Sequence, residues 1–182
     1  MSEAPPVPRN LLLIGMRGAG KTTVGRLLAN ELQWEFLDTD AVIEQREQAT
    51  IREIFATRGE AAFRAIEAQI VDETCANSGQ VISLGGGAVL DTANREYIRR
   101  AGVCVWLSAK PETLIQRMAN DDQRQARPSL TSRDWADEVR ELAASRAPIY
   151  AELATIRVDT DGRAPADVAR AVLSQTGLRS TE

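Results

Sequence analysis

The sequence predicts an α/β fold, a parallel β-sheet with helices on both of its faces. Three observations carry that prediction. Short apolar runs such as Leu11-Leu12-Leu13-Ile14 and Val103-Cys104-Val105-Trp106-Leu107 alternate with longer stretches of helical spacing, the pattern of buried strands joined by crossover helices. The octet GMRGAGKT at 15–22 stands between the first apolar run and the first helical stretch, the position a phosphate-cradling loop requires. The chain of 182 residues can form one domain with a sizeable core, and its twelve glycines and seven prolines are spread without a low-complexity tract or a solenoid repeat.

The elements follow in order. Residues 1–9, MSEAPPVPR, have neither a basic region nor an apolar stretch of signal-peptide type, and their prolines predict a disordered lead-in. The first strand covers 10–14. In the loop after it, Gly15 and Gly20 take the two bends, so that backbone N–H groups between them can wrap a phosphate. Lys21 adds positive charge at the β/γ-phosphate position, and the Thr22 hydroxyl suits Mg²⁺. Val24, Leu27, Leu28 and Leu32 keep helical spacing over a helix at 21–31, whose N-terminus favours anions. The octet therefore predicts a chain that binds a nucleoside triphosphate.

A short second strand at 35–38 ends in Leu37-Asp38-Thr39-Asp40. Three helical segments follow, at 40–46, 51–58 and 60–75, with a capping box from Thr50 to Glu53. That is too much chain for a plain crossover, and it reads as an inserted substrate-binding subdomain over about 40–75. The third strand, 81–84, runs into Gly85-Gly86-Gly87. Three successive glycines are costly in backbone entropy, which makes sense where backbone must come close to a ligand. A Walker B aspartate would normally close this strand, but position 83 is Ser. Asp91 caps a helix at 92–101, and the fourth strand covers 103–108. Helices at 112–119 and 134–144 flank the polar segment NDDQRQARPSLT at 120–131, read as a lid. Pro148 is expected to end or kink the helix bearing Arg146. A fifth strand at 155–159 and a helix at 165–175 complete the domain, 10–176, with a tail at 177–182.

Composition excludes several chemistries. The formal net charge is −4, which argues against nucleic acid as the main partner. With no histidine in the chain, a histidine base, a histidine-containing triad and a histidine metal site are all ruled out. Cys75 and Cys104 are too few for a metal cluster and read as structural. The longest apolar runs are four or five residues, too short for a membrane span, so a cytoplasmic protein is expected.

Ligands in such sheets sit at the carboxyl ends of the strands, which singles out Asp38 and Asp40. One can face Mg²⁺ through water while the other meets a substrate hydroxyl; equally, Asp40 can be an N-cap and Asp38 an exposed strand end. Arg64 and Arg146 cannot be told by spacing from the other arginines. Arg127, beside Pro128 in the lid, can close on phosphates.

Taken together, GMRGAGKT with the following VGR, then LDTD, IFATRGEAAFR, ISLGGGAV, RP and RAPIY resemble the shikimate kinase family in order and separation, over about residues 10–172. The combination is far more specific than the phosphate loop alone. The resemblance implies a P-loop NTPase three-layer sandwich, with a five-stranded parallel sheet of order 2-3-1-4-5 related to the nucleoside monophosphate kinases. It implies transfer of the ATP γ-phosphate to the 3-hydroxyl of shikimate, by a monomer that needs Mg²⁺. Residue by residue, Gly18, Ala19, Gly20, Lys21, Thr22 and Thr23 would hold the nucleotide phosphates, and Thr22 and Asp38 the magnesium. Asp40 would bind the reacting hydroxyl and accept its proton. Arg64, Arg146, Gly86 and Gly87 would clamp the shikimate carboxylate, Arg127 would be the lid arginine, and the loop at 159–163 with Arg163 would border adenine. The family's lid motif RPLL reads Arg127-Pro128-Ser129-Leu130 in this chain, and the stretch from Arg117 to Arg127 is two or three residues longer than usual. The arginine that stacks on adenine is therefore Arg117 or, failing that, Arg124.

Overall fold

The computed structural model describes residues 9–120 and 135–179. Of the expected lid only Asn120 is among them; Arg124 and Arg127 lie outside the described residues, as do residues 1–8 and 180–182.

Strand β1 (Asn10–Ile14) is buried at every residue and stands at the centre of the sheet. It pairs in parallel with β3 (Gln80–Ser83) on one side and β4 (Val103–Ser108) on the other. Strand β2 (Glu35–Asp38) flanks β3 and β5 (Ile156–Asp159) flanks β4, giving the order β2-β3-β1-β4-β5 that the family resemblance implies. Helix α1 (Lys21–Leu32) packs with α7 (Pro165–Thr176) on one face. On the other face lie α3 (Ile51–Ala76), α4 (Thr92–Ala101) and α6 (Trp135–Leu153). Helix α5 (Pro111–Ala119) packs on α6. With both faces covered, β1 and β4 can be continuous apolar runs rather than alternating ones.

A second, smaller apolar cluster lies between α2 (Thr39–Glu47) and α3, built from Ile43, Ile51, Ile54, Phe63 and Ile70. The Phe55 and Phe63 rings meet there with centroids 4.6 Å apart. The capping box is present at the start of α3: Thr50 N–H donates to Glu53 Oε2 at 2.7 Å and Glu53 N–H to Thr50 Oγ1 at 3.2 Å. The two helices expected at 51–58 and 60–75 form one element interrupted at Gly59, with φ 80° and ψ 172°. That left-handed break is the reason the position is glycine. A 3₁₀ turn at Ala88–Leu90, not expected from the sequence, follows the triple glycine.

Of the two outcomes expected at Pro148, an end or a kink of the helix, the first does not occur: α6 continues through it to Leu153. Pro148 and Ala144 are both exposed, so water can bond the Ala144 carbonyl that proline leaves without a donor. Past the proline, Tyr150 and Leu153 are driven into the core, 1% and 5% exposed, and their burial offsets the local cost of about 3 kcal/mol.

Gly102, between α4 and β4, shows how tightly the centre is built. A Cβ at Gly102 would stand 2.0 Å from Asn10 O and 2.7 Å from Asn10 N. Asn10 is itself fixed, accepting from Gln80 N–H at 3.1 Å and donating to Asn77 O at 2.8 Å. Gly102→Ala must displace the first residue of β1, and we expect a stability loss of at least about 2 kcal/mol in urea unfolding. An unchanged midpoint would contradict this packing. No described helix is long and apolar enough to cross a membrane.

Candidate active site

The loop after β1 bends as expected at Gly15 and Gly20, and also at Gly18, all with positive φ. At Gly15 a Cβ would lie 2.4 Å from Leu107 O, and at Gly18 it would press on Met118 and the Leu114 carbonyl. The loop is thus seated against β4 and α5. Gly20 is the N-cap of α1 and offers no side-chain cap, and a helix N-terminus of this kind favours an anion. Lys21 reaches back across the loop, donating to Gly15 O at 2.9 Å and Met16 O at 3.1 Å.

The Thr22 hydroxyl donates to Asp38 Oδ2 at 2.8 Å, across from α1 to the end of β2. The other Asp38 oxygen accepts the Asp40 N–H at 3.1 Å, so Asp38 both closes β2 and caps α2. The cap is therefore Asp38 and not Asp40, which stands in the first turn with its carboxylate turned toward β3. The Thr39 side chain fastens this corner: it accepts from Gly85 N–H at 3.0 Å, and its hydroxyl lies 3.4 Å from the Ser83 carbonyl. That bracing occupies the strand end where the Walker B aspartate is missing.

The triple glycine makes room for side chains. None of its three residues has positive φ, so their use is closeness. A Cβ on Gly85 would meet Asp40 Oδ1 at 2.7 Å and Glu67 Oε1 at 2.9 Å. On Gly86 it would meet Arg146 Nη1 and Gly15 O, both at 3.5 Å, and on Gly87 it would meet Arg64 Nη1 at 2.6 Å. Asp40, Arg146 and Arg64 thus converge on three consecutive residues that also face the phosphate loop. The N–H groups of Gly86 and Gly87 have no acceptor among the described residues. Gly87 is buried, and a buried N–H that no protein group takes is left for a ligand or an ordered water.

Glu67 is the residue that sequence reasoning missed. It is 2% exposed and receives Arg64 Nη1 at 2.6 Å. An arginine and a glutamate three apart on a helix ordinarily form a solvated pair. The available signal was its place in the buried stripe of Phe63, Ile70, Val71 and Thr74 on α3. The pair leaves Arg64 partly open to the crevice, with a second, longer contact to Glu60 at 3.4 Å.

From α6, Arg146 Nη1 donates to Gly86 O at 3.2 Å. The Tyr150 hydroxyl donates to the same carbonyl at 2.7 Å, and burial pushes its phenol up to about 12, so it remains a donor at neutral pH. On the far side of the phosphate loop, Arg117 donates to Gly18 O at 3.2 Å and to Thr160 Oγ1 and O at 3.0 and 2.7 Å. It ties that loop to the one at 159–163. Arg163 lies on the outer side of that second loop, donating to Asp159 O and Asp167 O. Cys75 and Cys104 are buried free thiols, pushed up to about 12 chiefly by burial, and they are remote from this chemistry.

A phosphate loop thus faces a carboxylate and two guanidinium groups across a crevice at the strand ends. That arrangement can hold a polyphosphate and an anionic, hydroxyl-bearing acceptor. Residues 17–176 match the family model for shikimate kinase. The chain is 45% identical over 166 residues to the shikimate kinase of Symbiobacterium thermophilum, covering 91% of this chain and 95% of that one. It is 43% identical over 173 residues to the enzyme of Thiobacillus denitrificans, covering 95% and 93%. Among solved structures it resembles shikimate kinase from Acinetobacter baumannii in complex with shikimate, with a TM-score of 0.87, 37% identity and 93% of each chain covered. A gluconokinase from Sinorhizobium meliloti, TM-score 0.59 at 17% identity over 93% of this chain and 92% of its own, shares the fold.

Proposed function

The chain belongs to the shikimate kinase family, and on that premise we propose that it transfers the γ-phosphate of ATP to the 3-hydroxyl of shikimate, giving shikimate 3-phosphate and ADP. The observation that carries this reading is the convergence of Asp40, Arg146 and Arg64 on Gly85, Gly86 and Gly87, opposite the phosphate loop.

In this reading the acceptor's carboxylate lies between Arg64 and Arg146, whose planar forks match it, and takes the N–H groups of Gly86 and Gly87. Asp40 accepts the proton of the reacting hydroxyl. Gly18, Ala19, Gly20, Thr22 and Thr23 cradle the phosphates with Lys21, which leaves the carbonyls it now holds for the β/γ-phosphate. Thr22 and Asp38 present a hydroxyl and a carboxylate oxygen 2.8 Å apart, hard donors suited to Mg²⁺ directly or through water. That cation, bound with the nucleotide, supplies charge neutralisation on the β- and γ-phosphates. Arg117 and the loop with Arg163 border the adenine. Arg127, on the lid, closes over the transferred group and excludes water. Residues 40–75 serve as the acceptor-binding subdomain of a single domain, 10–176, acting as a monomer in the cytoplasm. Catalysis then rests on positioning and electrostatics, as phosphoryl transfer allows.

A coupled ADP-release assay with MgATP, run with shikimate, with gluconate and without acceptor, tests the proposal. Turnover with shikimate alone is the expected result. Turnover with gluconate in place of shikimate, or equal release without acceptor, would overturn it.

A further inference from the structure

We infer that Tyr150 is a positioning residue of the acceptor clamp, holding the Gly86–Gly87 peptide so that the Gly87 N–H faces the acceptor carboxylate. The inference rests on the acceptor site proposed above and adds a residue that touches no substrate. A peptide between two glycines is the softest kind in a chain, because neither neighbour has a Cβ to restrict its rotation. Its carbonyl and its N–H point in opposite directions across a planar trans unit. Whatever grips the Gly86 carbonyl therefore aims the Gly87 N–H.

Two groups grip it, both from α6: the Tyr150 hydroxyl at 2.7 Å and Arg146 Nη1 at 3.2 Å. Arg146 also serves the acceptor in the proposed site, so its hold on the carbonyl varies with ligand binding. Tyr150 has no such second duty. Its side chain is 1% exposed and is braced from behind: its ring lies 5.8 Å from that of Trp106. The Arg157 guanidinium stands 4.4 Å from the Trp106 ring and donates to Ser108 Oγ at 3.1 Å. The Tyr150 hydroxyl also lies 3.8 Å from Met16 Sδ, so one rigid group keeps the acceptor loop in register with the phosphate loop. With the carbonyl held toward α6, the Gly87 N–H points away from it, on a residue that Arg64 touches closely.

Tyr150→Phe removes only the hydroxyl and keeps the ring. The expected result is a rise of about tenfold in the KM for shikimate, the scale of one buried hydrogen bond. The kcat and the KM for ATP stay within about twofold, a split that general loosening of the fold would not produce. A KM for shikimate unchanged within that margin, or a loss shared equally between both substrates, would overturn the inference. If the wild-type chain does not turn over shikimate at all, the acceptor assignment fails, and amide spectra of the two proteins decide the positioning role. Displacement of the Gly86 and Gly87 amide resonances with Lys21 unmoved supports it, and resonances that coincide with wild type overturn it.

Discussion

Asp40→Asn is expected to lower kcat with shikimate by at least about a hundredfold, the lower end of what general acid–base catalysis contributes. ATP affinity, read by titration with a fluorescent analogue, stays near wild type. Asparagine preserves the size of the side chain and leaves untouched the backbone N–H by which Asp40 is tied to Asp38. What it removes is the capacity to take a proton. The carboxylate stands beside Gly85, close to Glu67 and across from the phosphate loop, and among the described residues this corner holds no histidine that could replace it. Turnover within about threefold of wild type would exclude Asp40 as the proton acceptor.

Arg64→Ala is expected to raise the KM for shikimate by between about thirtyfold and several thousandfold, corresponding to about 2–5 kcal/mol for truncating one partner of a buried charged pair. The same truncation carries a second cost, to stability, that has nothing to do with substrate. Glu67 is buried beneath Arg64 with Oε2 at 2.6 Å, so the truncation leaves a carboxylate in a dry site without its counter-charge. The double variant Arg64→Ala with Glu67→Gln separates the two effects. It is expected to recover much of the lost thermal stability while the KM for shikimate stays high. Recovery of the KM together with stability would mean that Arg64 only neutralises Glu67 and does not hold the acceptor.

The elements that proved most legible were those whose signal is local. The strands expected at 10–14, 35–38 and 103–108 match β1, β2 and β4 residue for residue, and at β1 and β4 the reason is that buried parallel strands leave a nearly continuous apolar trace. The phosphate loop was legible because its backbone geometry demands glycine at fixed offsets. Gly59 marked its own break, and Thr50 and Asp91 marked the helix starts they cap. The acceptor side was less legible. Arg64 and Arg146 are single helical arginines, and only the family resemblance separated them from the rest. Glu67 left only a weak trace, its place in the apolar stripe of α3, because burial of a charged residue depends on what the helix packs against. Pro148 misled because its local penalty is outweighed by the burial of Tyr150 and Leu153 further along the same helix. At the triple glycine the sequence pointed only to the close approach of backbone, whereas the three residues also yield space to Asp40, Arg146 and Arg64.

The central claim, transfer of a phosphoryl group from ATP to one hydroxyl of shikimate, is tested most directly by following the reaction with phosphorus NMR. The expected outcome is loss of the ATP γ-signal with growth of one phosphomonoester resonance coupled to the ring proton at carbon 3. Growth of inorganic phosphate alone, or a phosphomonoester coupled to a different ring proton, would contradict it.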